Sequence, residues 1–181
     1  MRKGLWSLTL ALMLLAASAV PVFAATTQTV TVTATPEYVA LTNSEGSWAV
    51  GNVAESSTYW WTDDTNAPAE PFIDGDMKST ITNTGSVAED IDIKVAAFTG
   101  GVGWSISTDD SPGEDEVSLR AGITGTANEA AMVQVITTDE ELVSDLAAAA
   151  TKKWCMELET GTFTDGVAKS GTVTLTASKH V

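Results

Sequence analysis

The chain has 181 residues, with 24 acidic side chains against nine Lys and Arg, a formal charge of −15 and a single histidine. So acidic a surface repels nucleic acid and anionic lipid, which removes both from the partners to consider. With Cys155 as the one cysteine, no internal disulfide forms, and a domain of this length can bury enough apolar surface without one.

Residues 1–24 read as a signal peptide. Arg2 and Lys3 precede an apolar stretch over 5–20, and Val22, Phe23 and Ala24 give the small-residue ending for cleavage after Ala24. A membrane-spanning helix competes with this reading, but the stretch is short for one and is interrupted by Ser7, Thr9, Ser18 and Pro21. Losing Arg2 and Lys3 leaves seven bases against the 24 acids, a charge of −17 for residues 25–181. The expected product is one secreted domain over 25–181, extracellular or at the cell surface. Cys155 is far from the cleavage site, so no lipid modification is expected there, and no apolar tail or sorting motif precedes Val181.

Residues 28–35 form the first predicted strand. Val30, Val32 and Ala34 share one face, and Thr29, Thr31 and Thr33 the other, where a β-branched polar residue suits an exposed surface. Pro36 ends it. A second short strand follows over 37–42, then a turn at 43–46, a strand over 47–53 carrying Trp48 and Val50, and another over 57–62. Residues 62–71 read as loop. Residues 77–98 read as a β-hairpin: Ile91, Ile93 and Val95 alternate with Asp90, Asp92 and Lys94, and Asn83-Thr84-Gly85-Ser86 supplies the reversal.

After a glycine-rich link, strands are predicted over 103–107, 117–123 and 130–137. Over 138–150 the pattern changes: Thr138 and Glu141 make a capping box, Asp139 and Glu140 favour a helix start, and alanines follow Leu146, so a short helix is predicted. Trp154, Met156 and Leu158 then share a strand face opposite Cys155, Glu157 and Glu159, and 171–178 closes the chain with Val173, Leu175 and Ala177 inward. That last strand, Thr172-Val-Thr-Leu-Thr-Ala177, echoes the first, Thr29-Val-Thr-Val-Thr-Ala34, with no repeat period elsewhere. About nine short strands make this an all-β chain, a two-sheet antiparallel β-sandwich of Ig-like or jelly-roll kind with one short inserted helix.

Chemistry is harder to find. A hydroxyl or thiol nucleophile needs a base, and His180 stands one residue from the end, where chains fray. The chain therefore reads as non-enzymatic. The acids Asp63, Asp64 and Asn66 with Asp74 and Asp76, and a second group at Asp109, Asp110, Glu114, Asp115 and Glu116, are hard oxygen donors in loops, the kind structural calcium uses; the plainer reading is a solvated acidic exterior. Asp63, Asp64, Asp74 and Asp76 are the candidate metal ligands. Adjacent Trp60 and Trp61 face opposite ways on a strand, which puts one of them outside the inter-sheet core and makes them candidates for stacking on a polysaccharide.

Residues 29–34 stand apart for another reason. They are uncharged and proline-free, lying at an end that cleavage creates, and an unblocked edge strand is a template for pairing with another chain; the plainer reading is that the strand pairs inside its own sheet. The text Ile81-Thr-Asn-Thr-Gly-Ser-Val-Ala-Glu-Asp-Ile-Asp-Ile93 resembles the corresponding stretch of Ig-like surface modules and of the camelysin and TasA group of secreted fibre subunits. The resemblance to that second group implies a jelly-roll domain and extracellular fibre assembly by donated strands. The expected role is a structural subunit of a filament or surface layer, a homopolymer joined through Thr29, Val30, Thr31, Val32, Thr33 and Ala34. The alternative is a carbohydrate-binding or adhesive module using Trp60 or Trp61.

Overall fold

The computed structural model describes residues 33–63, 68 and 70–181. The signal peptide, Thr29 to Val32 of the expected joining strand, and Asp64 and Asn66 of the first acidic group lie outside the described residues. Ten strands occur among them: β1 Leu41–Asn43, β2 Thr58–Trp61, β3 Ser79–Asn83, β4 Glu89–Val95, β5 Ser105–Ile106, β6 Glu116–Ile123, β7 Val133–Gln134, β8 Glu140–Leu146, β9 Thr151–Thr160 and β10 Val173–Lys179.

The larger sheet grows around β9, the longest strand. On one edge β9 pairs antiparallel with β6, from Val117 opposite Thr160 to Ile123 opposite Trp154. Its other edge is shared end to end: β3 pairs with the first half and β2 with the second. β1 extends the sheet beyond β3, and β5 and β7 pair with β6. Alternation on β9 sends Trp154, Met156 and Leu158 to one face and Cys155 and Glu157 to the other, and all five are buried. The second sheet has three strands in the order β10-β4-β8. Ile91, Ile93 and Val95 of β4 face the larger sheet at 1% exposure or less and pack with Ile81, Leu119 and Trp154 in one inter-sheet core. The expected two-sheet all-β architecture is therefore present. Its pairs are antiparallel except for β5 beside β6, which is parallel.

Four local expectations differ from the structure. Residues 77–98 are no hairpin: β3 and β4 belong to opposite sheets, so the reversal at Asn83 carries the chain across the sandwich. Alternation says which face of a strand is buried but not which sheet holds it. Asn83 holds the crossing. Its buried amide donates to the carbonyls of Val87 and Leu146, each at 2.8 Å, and its side-chain oxygen accepts the Gly85 N–H at 2.8 Å. Gly85 is needed for close approach, since a Cβ there would sit 2.7 Å from the Tyr38 carbonyl oxygen.

The helix expected over 138–150 is instead strand β8, and the only helix among the described residues is a short 3-10 turn, Glu129–Ala131. The register of β8 on β4 shifts opposite Ile91, and Asp145 has φ 53°, which marks a bulge. The bulge lets Leu142, Val143 and Leu146 all turn inward, a spacing that mimics one face of a helix. Pairing with β4 and burial of Val143 outweigh the alanines' helix preference. The strand expected over 47–53 is irregular chain, although Trp48, Val50 and Val53 still pack on the core. His180 does not fray either: its N–H donates to the Ala88 carbonyl at 2.9 Å, and its ring Nδ1 lies 2.7 Å from Asp90 Oδ1.

Replacing Asn83 with alanine would strip three hydrogen bonds from the sheet crossing. At roughly 1 kcal/mol for each bond, Asn83→Ala should cost about 3 kcal/mol, read as a lower midpoint in urea at unchanged slope.

Candidate functional site

The two layers are unequal in width, and the mismatch falls beside β10. Among the described residues β10 pairs only with β4, which leaves its other edge open. Its inward residues Val173, Leu175 and Ala177 remain half-exposed, whereas Ile91 and Ile93 across the ladder are fully buried. Beneath that edge lies a cleft of about 920 Å³. Trp61, Trp154, Met156 and Leu158 of the larger sheet line it, with Trp48 and Val50 of the irregular 47–53 segment, while Phe98, Trp104 and Phe163 belong to its far wall.

The aromatic walls are built firmly. Trp61 meets Trp154 edge-on at 5.0 Å between ring centres, Trp48 stacks on Trp61 at 6.4 Å, and Trp104 stacks on Phe163 at 4.7 Å. The Trp154 indole N–H donates to Asn43 Oδ1 at 2.9 Å, which fixes its ring. Lys169 Nζ lies 5.9 Å from the centre of the Trp104 ring and donates to the Gly100 carbonyl at 2.8 Å, so a cation is folded into the rim. The cleft thus combines aromatic and aliphatic walls with the unpaired edge of β10.

The other expected site residues fall elsewhere. Thr33 and Ala34 are exposed and in no strand. Trp61 is buried in the inter-sheet core, and Trp60, on the opposite face, is half-buried edge-on to Phe72 at 6.4 Å. Of the candidate metal ligands, Asp63 pairs with Lys78 at 3.1 Å, and Asp74 accepts a bond from the Thr124 hydroxyl. Among the described residues no three His, Cys, Asp or Glu gather in a way that would hold a metal ion, which includes Asp76 and the second acidic group. Asp109 instead accepts the Ser111 N–H and Glu116 the Gly113 N–H, which shapes their own loop, while Asp115 accepts the Thr164 N–H of a distant segment.

The outer face of the larger sheet holds a feature that the sequence reading passed over. Arg120 and Glu157, opposite each other on β6 and β9, form a buried ion pair at 2.8 Å. The same guanidinium reaches Glu129 at 2.6 Å and Asp110 at 3.4 Å, so it ties two loops to the sheet. Burial pushes the Glu157 carboxyl up to about 7, partly offset by Arg120. The signal was an arginine amid the apolar alternation of 117–123, facing a glutamate on a strand whose neighbours are all apolar. Nearby, Phe72 lies flat over Gly122, where a Cβ would come within 2.6 Å of the ring, and the ring joins Met77, Met132 and Cys155 in a second small core.

No family model, curated protein or solved structure matches this chain.

Two groups make stability depend on pH in the same direction. A carboxyl raised by folding stabilises fully below its unfolded range, near 4.5, and that contribution is lost as pH rises through about 7. His180 is held above its ordinary 6.5 by the hydrogen bond to Asp90, so its contribution is present below 6.5 and lost as pH rises through the raised value. The protein should therefore melt higher at pH 5.5 than at pH 8.5. Glu157→Gln should flatten the acid side of that slope and His180→Gln the alkaline side, as followed by thermal melts across the range.

Proposed function

We propose that this protein is a non-enzymatic structural subunit of an extracellular filament or surface layer, and that copies join when the 29–34 strand of one adds to the sheet of the next. The observation that carries the reading is the open edge of β10, with Val173 and Leu175 half-exposed above the aromatic cleft. Water against such a surface is unfavourable. Burying two valines there would return on the order of 3–5 kcal/mol before backbone pairing is counted. The resemblance of residues 81–93 to the camelysin and TasA group adds the same expectation from the sequence side. The acidic surface keeps separate copies soluble until the joining strand engages.

Negative-stain images of the chain without residues 1–24 should contain filaments. Deleting 25–35 should leave soluble monomers with an unchanged circular dichroism spectrum; filaments that persist would exclude strand donation. Leu175→Lys, which sets a charge in the cleft, should likewise abolish filaments while the monomer stays folded.

A further inference from the structure

We infer that the inter-sheet cleft binds a small, neutral, planar molecule of fused rings that carries a hydrogen-bond acceptor, and that the indole N–H of Trp104 is the group that orients it. The inference goes beyond the structural-subunit reading and stands on the cleft alone.

Size and walls set the shape of the ligand. A cleft of about 920 Å³ matches the space that small-molecule sites enclose. Its aromatic surfaces come in stacked pairs, Trp48 on Trp61 and Trp104 on Phe163, the second pair with only 19° between the ring planes. Leu119, Met156 and Leu158 fill in between with aliphatic surface. Flat rings gain stacking and edge contacts against such walls and have no internal rotations to lose. A flexible acyl chain would have to give up that freedom on entry.

Charge removes the ionic candidates. The charged residues of the lining are Glu45, Asp165 and Lys169. Lys169 is thus the one base there, and it is already spent: its ammonium meets Asp165 at 2.5 Å and donates to the Gly100 carbonyl at 2.8 Å. No cation is left to hold an anionic head group, and the net charge of the chain repels one. Asn43 is committed in the same way. Its side-chain oxygen accepts from the Ser79 hydroxyl and the Trp154 N–H, and its amide donates to the Glu45 carbonyl.

One directed contact is left over. Trp104 is only 6% exposed, and its indole N–H has no acceptor among the described residues. It is the one buried polar side-chain atom of the described cleft lining in that condition. Trp154 lines the same cleft, yet its N–H is satisfied by Asn43 at 2.9 Å. A buried donor without a partner is costly, so a ligand oxygen that reaches it restores a bond that neither solvent nor chain supplies. A neutral aromatic ketone has the required parts.

Matched naphthalenes test this on the unassembled full chain. Acetylnaphthalene offers fused rings and a carbonyl, isopropylnaphthalene keeps the shape without the acceptor, and naphthoate adds a charge. Equilibrium dialysis should show one acetylnaphthalene bound per chain, about tenfold more tightly than either of the others, the worth of one buried hydrogen bond. The Trp104 indole N–H proton should move downfield with the ketone and not with the hydrocarbon. Trp104→Phe keeps a ring in the wall without the N–H and should bind ketone and hydrocarbon equally. Equal affinities in the wild-type chain would overturn Trp104 as the orienting group. Tightest binding of naphthoate would overturn the neutral class. Binding of none of the three, or signal changes confined to residues outside the cleft, would overturn the site. Should Trp104→Phe misfold, the wild-type indole signal decides, and a signal that stays in place counts against the inference. Because these measurements need no filament, their failure leaves the structural-subunit reading untouched, and the absence of filaments leaves this one untouched.

Discussion

Everything in this fold depends on β9 being buried on both faces. A strand in a sandwich ordinarily has one wet side, and its sequence alternates accordingly. Here Trp154, Met156 and Leu158 meet the second sheet, while Cys155 and Glu157 are covered by the loops that carry Phe72, Met77 and Met132. Three strands depend on β9 for their position, β2 and β3 along one edge and β6 along the other. Because the loops on the outer face bury a polar strand position, they need a polar partner there, and Arg120 supplies it from the neighbouring strand. One guanidinium then holds three carboxylates from separate parts of the chain. A buried pair of this kind adds little to net stability beside an apolar replacement, yet removing either partner leaves an uncompensated charge.

Much of the architecture could be read from the alternation of single residues. Ile91, Ile93 and Val95, and Trp154, Met156 and Leu158, declared their buried faces, and turn residues marked most boundaries. What the sequence could not convey was partnership between strands. The stretch from Met77 to Phe98 has every local property of a hairpin, and only the destination of the second strand makes it a crossing. The segment around Leu142 and Val143 failed for a different reason, since a bulge changes the period that the eye uses to tell strand from helix. Trp48 and Val50 were assigned to a strand, and they pack on the core from a segment that has no backbone pairing.

The candidate site was only half legible. Inward-facing Val173 and Leu175 were visible in the final strand, and the likeness of that strand to the first was visible too. The cleft itself was not, because it is assembled from Trp48, Trp61, Trp104 and Trp154, which lie far apart in the chain and gave only a composition rich in tryptophan. Adjacent Trp60 and Trp61 do face opposite ways, Trp61 into the inter-sheet core and Trp60 half-buried beside Phe72. Among the acids, Asp109, Asp115 and Glu116 accept bonds from backbone N–H groups, a use that leaves no spacing rule in the sequence.

The thiol of Cys155 has a consequence for how this fold meets oxidants. It lies at 0% exposure beneath Phe72 and Met132, and burial raises its pKa, which keeps it in the unreactive, protonated form. Oxidants therefore have no thiolate to capture, and sulfenic or glutathione adducts have no route to form while the fold is intact. Damage would begin only after the loops over β9 lift away, which makes labelling of this one sulfur a direct clock for opening of the outer face.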